Sequence, residues 1–201
     1  WFTTIEKTKK WPEAQTKARA VFLCEDSKDA GNPMAYRILK ITSSLYRIWA
    51  SVRMKDMEAW VLTWADKCMF AGIPGAGAEE GWYLTQLDFE LKRLAGMQIT
   101  AGSIDIFKCF DQILRPLIIE LAKAAGMPSD ILDTYEQFVE NMSIMMQVGN
   151  SLGVEHKHKC SIPQGCPFSM ALIALLMKPW INLMRENKIE PRVLADDLFF
   201  Y

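Results

Sequence analysis

The sequence predicts an α+β fold, with antiparallel strands covered by packed helices. Three observations predict it. Half of the 201 residues are hydrophobic and only 23% are charged, which allows a sizeable core and does not suit a disordered chain. Short β-prone runs bounded by turn residues coexist with long stretches of helical period. The last nine residues, Val193 to Tyr201, set the adjacent Asp196 and Asp197 inside an apolar, β-prone run. In a continuous strand one of these aspartates would face the core, where an unpaired carboxylate is costly. The run therefore predicts a tight hairpin with both aspartates at its tip, gathered around a hard cation such as Mg²⁺.

Taken in order, residues 1–20 are polar and basic with two tryptophans, and a short helix is expected over 12–20. Residues 20–24 predict a strand, closed by the turn-rich stretch 25–33, and 36–42 predict a second strand. Ser43 or Ser44 can cap a long helix running to about residue 70, along which Leu45, Ile48, Trp49, Val52, Met57, Trp60, Val61 and Trp64 recur at helical spacing. The glycines at 72, 75 and 77 form a loop without the Gly-Lys-Ser/Thr ending of a phosphate-binding loop. A helix over 79–94 and a strand over 99–107 follow, then helices over 113–125 and 129–141, with Pro116 in a first turn. Residues 143–148 and 154–160 predict a hairpin around 149–153. A helix over 168–187 leads to the terminal strand.

Composition excludes several classes. No apolar run approaches the roughly 18 residues that span a bilayer. Five cysteines without CxxC spacing suggest reduced, mostly buried thiols in an intracellular protein. Net charge is −1, yet residues 1–60 carry 11 Lys/Arg against 7 Asp/Glu, and residues 61–150 carry 6 against 12. A basic lobe beside an acidic one suits a polyanion on the first and metals on the second, and uneven solvated charge reads equally well. The alternation from His156 to Cys160 puts both histidines and the cysteine on one strand face, but zinc needs a fourth ligand that the sequence does not name.

A third carboxylate, Asp105, ends an apolar run 91 positions before Asp196. Carboxylates converging from two strands suit two Mg²⁺ ions in a phosphoryl transfer. Here the chain resembles the fingers and palm of a reverse transcriptase, of the non-LTR (LINE-like) retrotransposon type. Asp105-x-x-Lys108-Cys109-Phe110-Asp111 is similar to that family's D-x-x-K-A-F-D strand, and Pro163-Gln164-Gly165-Cys166-Pro167-Phe168-Ser169 to its P-Q-G-C-P-L-S turn. Leu194-Ala195-Asp196-Asp197 is similar to its x-A-D-D box, the stretch from Asn32 to Ile38 to its N-Y-R-P-I segment, and Phe70 to Gly75 to the loop before the palm. The order matches over nearly the whole chain.

The resemblance implies a right-hand polymerase fold, with fingers over 1–98 and an incomplete palm over 99–201. It implies an RNA-directed DNA polymerase that extends a DNA primer on an RNA template with deoxynucleotides. Asp105 and Asp196 would hold two Mg²⁺ ions, replaceable by Mn²⁺, with Asp197 beside them as ligand or local charge. Arg37 would reach the triphosphate, Phe110 would lie under the sugar, and Gln164 and Gly165 would shape the nucleotide pocket. A nuclear setting follows if the element is a eukaryotic retrotransposon, a cytoplasmic one otherwise. Three departures stand out: Leu194 replaces an aromatic, Ile38 replaces proline after Arg37, and Leu23-Cys24-Glu25 lacks the family's lysine. A group II intron or retron-type enzyme, or a decayed nucleic-acid-binding relic, are the alternative readings. Because the chain starts at Trp1 and stops at Tyr201 inside an apparent strand, it reads as a piece of a longer protein, expected to polymerise poorly alone.

Overall fold

The computed structural model describes residues 1–24 and 31–201. The elements run α1 (Phe2–Thr8), β1 (Lys17–Cys24), β2 (Tyr36–Ile41), α2 (Ser44–Asp56), α3 (Glu58–Trp64), α4 (Ala78–Leu94), β3 (Gly102–Asp105), α5 (Cys109–Gln112), α6 (Arg115–Ala124), α7 (Ser129–Asn141), β4 (Ser143–Val148), β5 (Ser151–Leu152), α8 (Ser169–Glu186), β6 (Pro191–Leu194) and β7 (Asp197–Phe200). They form two compact units of discontinuous sequence, residues 1–55 with 110–169 and residues 56–109 with 170–201. The expected fingers and palm segments therefore each contribute to both units. Among the described residues no helix is long and apolar enough to cross a membrane.

The first unit holds a four-stranded sheet in the order β2-β1-β4-β5, with β1 antiparallel to β2 and parallel to β4. Burial alternates along β1, where Ala18 and Ala20 are sealed between neighbouring strands. In the same unit Tyr46 stacks on Phe138, and Trp11, Trp49, Tyr135 and Phe168 join the pair through edge-to-face contacts. Trp49 Nε1 donates to Glu6 at 2.7 Å, which ties α1 onto α2.

The second unit holds the three-stranded antiparallel sheet β3-β7-β6. Helix α4 packs on it through Phe89, whose ring lies 5.0 Å from that of Tyr201, and through Asp88, which accepts from Arg192 at 2.6 Å. The loop at 68–70 extends the sheet's edge, with Phe70 N donating to Val193 O and Val193 N to Cys68 O, both at 2.8 Å. Gly72 has φ +71°, and a Cβ there would stand 2.5 Å from the Met170 carbonyl carbon, so both conformation and space call for glycine.

Several expectations are corrected. Residues 12–20 make a 3-10 turn (Glu13–Gln15) and then β1, which starts at Lys17: burial of Ala18 and Ala20 in the sheet overrides alanine's helical preference. The N-terminal helix α1 was absent from the expected elements. The long helix expected to about residue 70 breaks at Met57, φ −93° and ψ 5°, into α2 and α3. The strand expected over 99–107 is four residues long. Of residues 154–160 only His156 bridges a strand, at Ile144, because β4 turns back through Gly149-Asn150 into the short β5. Of the predicted turn at 25–33, residues 25–30 lie outside the described residues, and with them Glu25 of the Leu23-Cys24-Glu25 departure.

Candidate active site

The terminal run folds as a hairpin. Leu194 pairs with Asp197, leaving Ala195 and Asp196 as a two-residue turn, with Ala195 at φ +57°. A positive φ at the first turn position matches the strands' twist, and a non-glycine residue there is strained by about 1 kcal/mol. The expected tip is thus corrected by one residue: Asp196 stands in the turn, and Asp197 opens β7. The register is set by Val193 and Leu198, which are paired and buried. A slip of one residue would send both to the opposite face.

β7 pairs with β3, which sets Asp105 directly opposite Asp197. Like charges directly opposite on two strands repel, and the exposure of both aspartates leaves them to be screened by solvent. Asp105 and Asp197 are exposed and Asp196 is half-buried. The Cys109 thiol reports on the same corner: burial pushes it up to about 11, and the charges of Asp196 and Asp105 add to the rise. Beside the sheet, a cavity of about 300 Å³ is lined by Asp105, Asp197, Ile104, Phe70 and Trp82.

Among the described residues no three His, Cys, Asp or Glu side chains are gathered as a ready metal site. His156 and His158 do meet, with Nε2 atoms 2.9 Å apart, and Cys160 Sγ donates to Asp111 O instead of joining them. Asp105, Asp196 and Asp197 stand at one corner of the sheet, and their carboxylate oxygens are of the hard kind that matches Mg²⁺.

Arg37, Phe110, Gln164 and Gly165 lie in the first unit. Arg37 is exposed on β2, paired with Leu23 in register, on the face opposite the buried Lys40. Phe110 is half-buried, and its carbonyl accepts from Ile162 N at 3.0 Å. Pro163 to Cys166 form a turn closed by Cys166 N donating to Pro163 O at 3.1 Å, with Gly165 third at φ +88°. That is the type II geometry, which asks for glycine at this position. No atom of the protein lies within 4 Å of where a Gly165 Cβ would stand, so the chain's own demand there is conformational. Gln164 is half-exposed at the turn's corner.

Sequence reasoning missed Lys40, a lysine on the inward face of β2 between Ile38 and Thr42, and the partner it holds, Asp111. The signal was present in the strand's alternation, which puts Lys40 in step with Tyr36 and Ile38. Asp111 lies inside α5, and Leu114 precedes α6.

A family model described as reverse transcriptase (RNA-dependent DNA polymerase) matches residues 26–201. The chain belongs to the reverse transcriptase family, whose members are nucleotidyltransferases. It is similar to a solved apo telomerase from Candida tropicalis, truncated from its C-terminal domain, with a TM-score of 0.64 at 10% identity over 100% of this chain and 47% of that one. That likeness supports the right-hand α+β fold. A partial Cas6-RT-Cas1–Cas2 complex also aligns, at a TM-score of 0.41 and 13% identity, over 99% of this chain and 35% of that one. The chain spans about half the length of the first structure and about a third of the second.

Proposed function

We propose that this chain is the nucleotide-adding part of an RNA-directed DNA polymerase of the non-LTR retrotransposon type, with fingers over 1–98 and palm over 99–201. The observation that carries the reading is the pairing of Asp105 with Asp197 beside the Asp196 turn, in a chain matched as a reverse transcriptase over 26–201. Two carboxylates at opposed strand positions supply hard oxygens of the kind a divalent cation takes.

In this reading the 3′-hydroxyl of a DNA primer on an RNA template attacks the α-phosphorus of a deoxynucleotide. A P–O bond forms there as the bond to pyrophosphate breaks. Asp105 and Asp196 would hold two Mg²⁺ ions, or Mn²⁺ in their place, and Asp197 would add a ligand or a local negative charge. Bound Mg²⁺ supplies a more acidic attacking hydroxyl and neutralises charge on the phosphate oxygens. Arg37 meets the triphosphate, Phe110 the sugar, and Gln164 and Gly165 the base and template. The sequence around Cys166 favours the retrotransposon type over a group II intron or retron-type enzyme, which usually has a second glycine there. A nuclear location follows if the element is eukaryotic.

The test is Asp196→Asn in the full-length protein, assayed for primer extension on RNA with Mg²⁺ or Mn²⁺. The expected outcome is loss of extension by about 10³-fold or more, on the order of 4 kcal/mol, with an unchanged fold. Extension near the wild-type rate would falsify the assignment of Asp196 as a ligand. A wild type that binds template but extends no primer would favour the relic reading.

A further inference from the structure

Lys40 occupies a position on β2 that its neighbours mark as interior. Its side chain is 0% exposed. A buried ammonium is costly unless it is paired and hydrogen-bonded, and Lys40 is both. Its Nζ donates to Asp111 Oδ1 at 3.2 Å and to Ser161 Oγ. Burial pulls the lysine's pKa down, and the charge and hydrogen bond of Asp111 pull it part of the way back.

Its two partners belong to different segments. Asp111 follows Phe110 directly. Ser161 opens the loop that carries Gln164 and Gly165. The same two segments are joined again by Ile162 N donating to Phe110 O at 3.0 Å, and by Ser161 N donating to Ile113 O at 2.8 Å. Arg115, itself 2% exposed, donates from Nε to Ser161 O at 2.9 Å. Ser161 is 1% exposed and sits at φ +78°, a left-handed conformation that a non-glycine residue keeps only where its surroundings over-determine it. An apolar side chain could fill the space of Lys40, but it would impose no direction on Asp111 or on the Ser161 hydroxyl.

We propose that Lys40 is a positioning residue of the nucleotide pocket, whose buried ammonium clamps the Ser161–Gly165 loop to the Phe110–Asp111 segment and so fixes Phe110 against Gln164. This rests on the reading above in which those residues meet the incoming nucleotide. Lys40 touches no substrate. It acts by holding together the two segments that carry Phe110 and Gln164.

The test uses the full-length polymerase and kcat/KM for matched deoxy- and ribonucleotides on one primer-template. Lys40→Met keeps the stem and removes the ammonium. The preference for deoxynucleotides is expected to fall about tenfold, since a displacement near 1 Å costs up to about 10²-fold in a well-ordered site. Asp111→Asn is expected to fall in the same direction, and the double variant to lose little more than either single one. A merely structural lysine lowers the fraction of folded enzyme, so both constants drop together and the ratio stays fixed, which overturns the proposal. Should Lys40→Met not fold, Ser161→Ala removes one arm of the clamp alone, and an unchanged ratio there overturns it equally. A fixed ratio in an enzyme that discriminates normally removes only the role of Lys40. A wild type that adds no nucleotide removes the polymerase reading, and this inference with it.

Discussion

The Phe110 carbonyl accepts from Ile162 N, and the residue is half-buried. A ring held that way can face either the core or a bound sugar. Shortening it separates the two. If the ring fills the space that a 2′-hydroxyl needs, Phe110→Val is expected to raise ribonucleotide use relative to deoxynucleotide use. The gain can exceed the roughly 1–3 kcal/mol of one extra methylene, because overpacking a rigid pocket is costly. Steady-state kinetics with paired nucleotides decides it, and a parallel fall in both constants makes Phe110 a packing residue. The candidate site residues were named from the chain alone, because short motifs in a fixed order carry them. Lys40 was not. A single charged residue in an apolar strand looks like an edge lysine until its partners, 71 and 121 positions away, come into view.

Elements were legible where one period ruled and tertiary forces agreed with it. Helix α7 has the limits its amphipathic period predicts, since Leu132, Tyr135, Phe138 and Val139 all bury on one side. The break at Met57 could not be seen, because apolar residues keep helical spacing across it. Helix α1 escaped for a different reason: it is polar, and it is held by Ile5 and by Glu6 on Trp49. Asp66, just past α3, illustrates a long-range hold of the same kind. Burial alone would raise its carboxyl, but bonds from Arg185, Cys68 N and Lys178 keep it well below the usual carboxylate range. A depressed pKa stabilises the fold above the unfolded value of about 3.9 and ceases to do so as pH falls toward the folded one. Asp66→Asn is therefore expected to destabilise by about 2 kcal/mol at pH 7, a figure already reduced for the exposure of Arg185. In denaturation curves taken from pH 7 downward, that difference is expected to shrink below about pH 4. A gap that stays constant down to pH 2 removes Asp66 as the anchor of α8.

At the scale of the whole molecule, the order of motifs and the order of packing do not coincide. Motif order divides the chain near residue 98, whereas each compact unit is assembled from two segments far apart in sequence. A cut at 98/99 separates β1 from its parallel partner β4, whose register runs from Lys17–Ser143 to Val21–Gln147. It also strips α4 from the hairpin it covers, breaking the contacts of Phe89 with Phe199 and Tyr201 and the ion pair of Asp88 with Arg192. Each half would then expose a sheet edge and an apolar face at once. Short sheets lacking a covering helix have little independent stability. Residues 1–98 and 99–201, produced separately, are therefore expected to show no cooperative thermal transition by circular dichroism, and mixing them is expected to restore one. Cooperative unfolding of 99–201 alone would mean that β3, β6 and β7 hold together without α4, and that the carboxylate hairpin is a self-sufficient element.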